Sequence, residues 1–189
     1  MIRVLSCVNQ AHSIYSAVVN SILAFLPALI ANGSPVVVIG KLIRKTTPMD
    51  FNHKFVDGRP ILGRSKTWEG FIVGTICGSI AGAAYGIMLS NILWIVYGLL
   101  MGLGAMVGDA LNSFIKRRLN IPPGKPFIPM DQLSFVLVAY ALVKVAGIDS
   151  LVGYNVGLTE LAIIIYVVLV LHPLTNLIAY KLGLKDKPW

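Results

Sequence analysis

Residues 70–86 read Gly70-Phe-Ile-Val-Gly74-Thr-Ile-Cys-Gly78-Ser-Ile-Ala-Gly82-Ala-Ala-Tyr-Gly86. The run carries no charge, and a glycine recurs at every fourth position. At helical pitch these glycines share one face, where a neighbouring backbone can approach closely. The stretch therefore reads as the heart of a membrane span, about Trp68 to Leu89, with a small-residue packing seam.

Comparable apolar runs flank it, at about 14–43, 92–113, 132–147 and 161–182, in a chain of 189 residues that is 56% hydrophobic. A helix crossing the roughly 30 Å hydrocarbon core needs about 20 such residues. The expectation is an all-α polytopic membrane protein with five transmembrane helices, forming a single domain over 1–189. Gly33-Ser34-Pro35 predicts a break in the first run, with a kink near Pro27 and a short helical extension from Val36 to Ile43. Ser90-Asn91 predicts a tight turn, and the short fourth run suggests a tilted or partly re-entrant element. Gly98, Gly102, Gly104 and Gly108 continue the glycine theme. The seam is compatible with packing inside one subunit or between two, so a homodimer stays among the alternatives. Cys7 and Cys77 show no metal or redox spacing.

The formal net charge of +8 would point to nucleic acid in a soluble protein. Here its distribution matches membrane topology. Loop 41–66 carries Lys41, Arg44, Lys45, Lys54, Arg59, Arg64 and Lys66; loop 114–130 carries Lys116, Arg117, Arg118 and Lys125; the tail adds Lys181, Lys185 and Lys187. The other side holds Arg3, with Lys144 nearby inside the fourth run. By the positive-inside rule the loops and C-terminus face the cytoplasm and the N-terminus lies outside. The expectation is a multi-pass protein of the cell membrane, with membrane lipids rather than nucleic acid as its surroundings.

Topology does not explain Asp109. A carboxylate within a transmembrane helix costs about 2.5–3.5 kcal/mol at the centre, less near the interface, and usually faces a wet cavity. Asp109, Asn112, Ser113 and Lys116 stand at i, i+3, i+4 and i+7, along one helix face. A carboxylate, an amide, a hydroxyl and cations form a suitable surface for Mg²⁺ bound to a polyphosphate. Asp131 follows a stiff loop with Pro122-Pro123-Gly124, Pro126 and Pro129. It suits a helix N-cap, a second metal ligand, or both. Ser65-Lys66-Thr67 precedes the second span, where hydroxyls and free N–H groups make an anion site as well as a cap. Glu69 is a first-turn acid or a partner for a nearby cation.

These residues resemble a known family. Lys66-Thr67-Trp68-Glu69-Gly70 is similar to a motif of the CTP:phosphatidate cytidylyltransferases, the CDP-diacylglycerol synthases. Gly108-Asp109, Ser113, Lys116-Arg117, Pro123-Gly124 and Asp131 resemble that family's C-terminal signature. Pro48-Met49-Asp50-Phe51 and Asp57-Gly58-Arg59-Pro60-Ile61-Leu62-Gly63 resemble the archaeal branch, whose members make CDP-archaeol. The signature of the larger family ends in Asp-Arg-x-Asp-Ser, whereas this chain has Asp131-Gln132-Leu133-Ser134.

The resemblance implies transfer of CMP from CTP to an isoprenoid-ether lipid phosphate, with release of pyrophosphate, at a site formed by the cytoplasmic loops. It implies Asp109 and Asp131 as ligands of Mg²⁺ and, with Lys116 and Arg117, as the catalytic set. Ser65, Lys66, Thr67, Asn112, Ser113, Lys116, Arg117 and Arg118 would contact the nucleotide. A CTP-dependent lipid kinase and a small ion transporter are the competing readings. The gathering of polar groups at one side argues against a transport path.

Overall fold

The computed structural model describes residues 2–42 and 45–184, with side chains described from Ser13's successor Ile14 onward except at 40–42 and 172. Arg44, Lys185 and Lys187, counted for topology, lie outside the described residues, as do the side chains of Arg3, Cys7 and Lys41. Among the described residues six helices account for the regular structure: α1 (Ile2–Leu42), α2 (Trp68–Met88), α3 (Leu93–Arg118), α4 (Met130–Ala146), α5 (Ile148–Leu151) and α6 (Leu158–Lys181). Among the described residues there is no named strand, only isolated bridges at Pro48–Thr67 and Lys54–Pro60. Four segments of the described residues are long and apolar enough to cross a bilayer: Ile14–Ile39, Trp68–Met88, Leu93–Arg118 and Leu158–Lys181. The chain is a multi-pass membrane protein.

The expected break at Gly33-Ser34-Pro35 is absent, and α1 runs through both Pro27 and Pro35. A proline leaves the carbonyl four residues earlier without its helical donor. For Pro27 that carbonyl is Leu23, which accepts from the Tyr85 hydroxyl at 2.8 Å. For Pro35 it is Ala31, which accepts from Ser34 Oγ at 3.3 Å. Substitute donors let the helix continue where lipid offers none. Two further tyrosines donate to α1: Tyr97 Oη to Ala24 O at 2.9 Å, and Tyr154 Oη to Asn20 O at 2.8 Å.

The glycine seam packs α2 on α3 within one chain. A Cβ at Gly78 would lie 2.6 Å from Gly102 Cα, and one at Gly98 would lie 2.6 Å from Gly82 Cα. The opposite face of α2 exposes Ile72, Ile76 and Ile80. Small residues inside and branched apolar residues outside suit a helix surrounded by lipid. α3 is central, with Tyr97, Met101 and Ala105 fully buried among Phe25 and Ala28 of α1 and Val136 and Ala139 of α4. Gly108 lets α4 approach, since a Cβ there would lie 2.8 Å from Phe135 Cα. This crossing brings the start of α4 beside the polar end of α3.

Candidate active site

The face read from sequence is real, but its members are unequally placed. Asp109 is partly exposed, whereas Asn112 and Ser113 are buried. Lys66, arriving from the loop before α2, donates to Asp109 Oδ2 at 2.5 Å. Across the α3–α4 crossing, Asn112 Nδ2 donates to Asp131 Oδ1 at 2.6 Å. Lys116 Nζ lies 2.9 and 3.0 Å from the two Asp131 oxygens. Asp131 is not the helix cap: Pro129 occupies that position, and the carboxylate turns back to accept from Phe127 N–H at 2.8 Å. The site thus contains two lysine–aspartate pairs, one of them also held by Asn112, where three chain segments converge.

Two buried atoms there lack partners. Asn112 Oδ1 accepts nothing, and Arg117 Nε donates to nothing. Arg117 is only 7% exposed, yet no carboxylate pairs with its guanidinium among the described residues. A desolvated cation without a counter-charge is costly, so this position favours an anion. Arg64, which lines the adjoining cavity, likewise has no carboxylate partner among the described residues.

That cavity, of about 550 Å³, lies between α1, α2, α3 and the loop before α2. Arg64, Ser65, Lys66, Thr67 and Asp109 supply its polar wall; Pro35, Val36, Ile39, Phe71 and Met106 supply an apolar one. A ligand with an anionic head and apolar chains matches this division. Thr67 also caps α2, its Oγ1 accepting from Gly70 N–H at 3.2 Å. Glu69 accepts from Thr47 N–H at 2.8 Å, so it ties the loop rather than pairing with a cation.

Arg118 faces away from the paired carboxylates. Its Nη1 donates to Asp57 Oδ1 at 2.7 Å and its Nη2 to Pro60 O at 2.5 Å, with the guanidinium 4.7 Å and 4.9 Å from the Phe55 and Phe114 ring centres. Arg59 Nη1 in turn donates to Arg118 O at 2.6 Å, placing a cation on the negative end of α3. These clasps fix loop 45–67 to the helix that carries Asp109. In the sequence Arg64 reads only as topological charge, and Arg59 as that and as part of the archaeal-branch motif; the proximity of both to Lys66 is the available signal. No cluster of three or more His, Cys, Asp or Glu side chains exists among the described residues.

The family model described as CarS-like CDP-archaeol synthase matches residues 14–189. The chain belongs to this family. It is 44% identical over 165 residues to the CDP-archaeol synthase of Staphylothermus marinus, covering 87% of this chain and 89% of that one. Against the CDP-archaeol synthase of Thermofilum pendens the identity is 43%, over 91% of this chain and 81% of the relative. A solved structure described as an intramembrane enzyme for archaeal membrane lipids biosynthesis aligns with a TM-score of 0.71 and 37% identity, covering 82% of this chain and 91% of that one.

Proposed function

We propose that this enzyme transfers CMP from CTP to an isoprenoid-ether lipid phosphate, giving CDP-archaeol and pyrophosphate. Family membership supports the reaction. The observation that carries the assignment of the site is the pairing of Asp109 with Lys66 and of Asp131 with Lys116, beside an unpaired, buried Arg117. As the carboxylates take up a cation, the lysines that neutralise them become free for phosphate oxygens. Loading both substrates therefore exchanges partners without leaving charges unpaired.

The donor set fits Mg²⁺. Asp109, Asp131 and the unpartnered Asn112 Oδ1 offer hard oxygen ligands. Asp109 and Asp131 would hold the ion, which when bound would screen the triphosphate and stabilise charge on the departing pyrophosphate.

The lipid phosphate, with a second pKa near about 6, is largely dianionic at neutral pH and needs little help from a general base. Its oxygen attacks the α-phosphorus of CTP; that O–P bond forms as the bond to the β-phosphate's bridging oxygen breaks. Repulsion between anions is the main obstacle. Lys66, Lys116 and Arg117 reduce it by holding phosphate oxygens, while Ser65, Thr67 and Ser113 supply shorter contacts. The apolar wall of the cavity holds the start of the lipid chains.

We further infer five crossings with the site in the cytoplasm. α4 has 17 residues and rises only about 25 Å. It nevertheless begins beside Asn112 and leads, through α5, to Tyr154, whose ring lies 6.1 Å from that of Trp94. Those α3 residues are separated by about 27 Å of helix rise, so α4 traverses the same depth. The lysine and arginine excess of the loops at the Asp109 end supports their cytoplasmic placement.

The test is product analysis with purified protein, CTP and Mg²⁺, comparing isoprenoid-ether and diacyl lipid phosphates. CDP-lipid and pyrophosphate are expected, with the ether lipid preferred. CDP alongside a phosphorylated lipid would instead identify a kinase.

A further inference from the structure

We infer that Asp50 is a positioning residue for Lys66, acting from within loop 45–67. The inference rests on the reading that Lys66 holds substrate phosphate. Asp50 is only 6% exposed, although it lies in a polar loop. Its Oδ2 accepts from Leu62 N–H at 2.9 Å and from Gly63 N–H at 2.8 Å, while Oδ1 accepts from Asn52 N–H at 3.0 Å. No lysine or arginine pairs with it among the described residues. Its charge is therefore held by backbone N–H groups, in a concavity shaped for a carboxylate.

Those N–H groups begin the turn that delivers the cavity's cations. Gly63 has φ +93°, which a side chain would strain, and its carbonyl accepts from Lys66 N–H at 3.1 Å. Lys66 O accepts from Met49 N–H at 2.8 Å, immediately beside Asp50. Asp50 and Met49 thus grip both ends of the turn Gly63–Lys66, and Arg64, Ser65 and Lys66 all line the cavity. On the other side of Gly63 lies Arg117, whose Nε is 3.8 Å from the position a Cβ would take. One carboxylate that touches no substrate therefore fixes the segment joining Lys66 to the neighbourhood of Arg117. A misplacement of about 1 Å at a charged contact can cost about 10²-fold in rate.

The test is a double-mutant cycle on kcat/KM for CTP, using full-length protein in lipid–detergent micelles. Asp50→Ala is expected to lower kcat/KM about 10²-fold. Asp50→Asn, whose carbonyl oxygen can still accept from Leu62 and Gly63, should retain activity within about tenfold of wild type. In a Lys66→Met background, either Asp50 change should add less than about twofold, because both act through one contact. Independent, multiplicative losses would overturn the inference, as would an Asn variant no better than Ala. If Asp50→Ala does not fold, the cycle with Asp50→Asn decides on the same criterion. If Lys66→Met alone leaves kcat/KM unchanged, the reading of Lys66 falls and takes the inference with it, whereas multiplicative losses remove the inference alone.

Discussion

The two ends of this molecule use the same chemical pair in different ways. At the end opposite the cavity, Lys144 donates to Asp149 Oδ2 at 2.6 Å, and Asp149 is 1% exposed. The partners are neighbours in sequence, and the same oxygen also accepts from Val156 N–H at 3.3 Å. At the cavity end, Lys66–Asp109 and Lys116–Asp131 join different segments, are partly open to solvent, and adjoin unpartnered atoms of Asn112 and Arg117. The first pair is a closed staple at the turn between α4 and α6. The others can change partners. Burial and unsatisfied neighbours separate the two roles where residue type alone does not.

The same substitution at both ends should break this symmetry most visibly. Lys116→Met removes a cation from the proposed phosphate site, and kcat/KM for CTP should fall about 10²–10³-fold. Lys144→Met should leave turnover per folded molecule within about twofold of wild type. It strands most of the charge of Asp149, at a cost of about 1–3 kcal/mol after allowing for the partly exposed lysine. That loss would be read as a lower melting temperature in detergent. Equal losses of turnover from the two variants would erase the distinction.

Much of this contrast was legible in the sequence. The apolar runs located the four helices long enough to cross a bilayer among the described residues, and helical spacing placed Asp109 with Asn112 and Lys116 on one face. The glycine period marked the α2–α3 seam, although only the packing of Gly78 on Gly102 assigned it to one subunit. What was hidden depended on distant partners. Tyr85 lies 62 residues from the Leu23 carbonyl that it satisfies, so Pro27 and Pro35 read as interruptions in a helix that continues. Arg118 looked like a further phosphate ligand because it adjoins Lys116 and Arg117. Its actual partners, Asp57 and Pro60, come from a loop whose folding no periodicity reveals. Asp50 was hidden for the same reason, its role being defined by backbone groups 12 and 13 residues away.

The smallest expected effect concerns that loop. Burial raises the Asp50 pKa, but the N–H groups of Gly63, Leu62 and Asn52 lower it further, leaving the carboxyl below its ordinary range. A carboxyl with a depressed native pKa contributes stability above its unfolded value, about 3.9, and loses that contribution as pH falls through the native value. Melting temperatures of wild type and Asp50→Asn should therefore differ near neutrality and converge in acid. A gap that persists undiminished below both values would mean that the carboxylate charge is not what holds the turn.

The central claim is that the carboxylates paired with lysine at the α3–α4 crossing form the reaction centre. Pyrophosphate release from CTP and lipid phosphate by Asp109→Asn, in Mg²⁺ and with wild-type elution and melting behaviour verified, tests it most directly. The account predicts release at the level of a protein-free control. Release at the wild-type rate by the folded variant would contradict it.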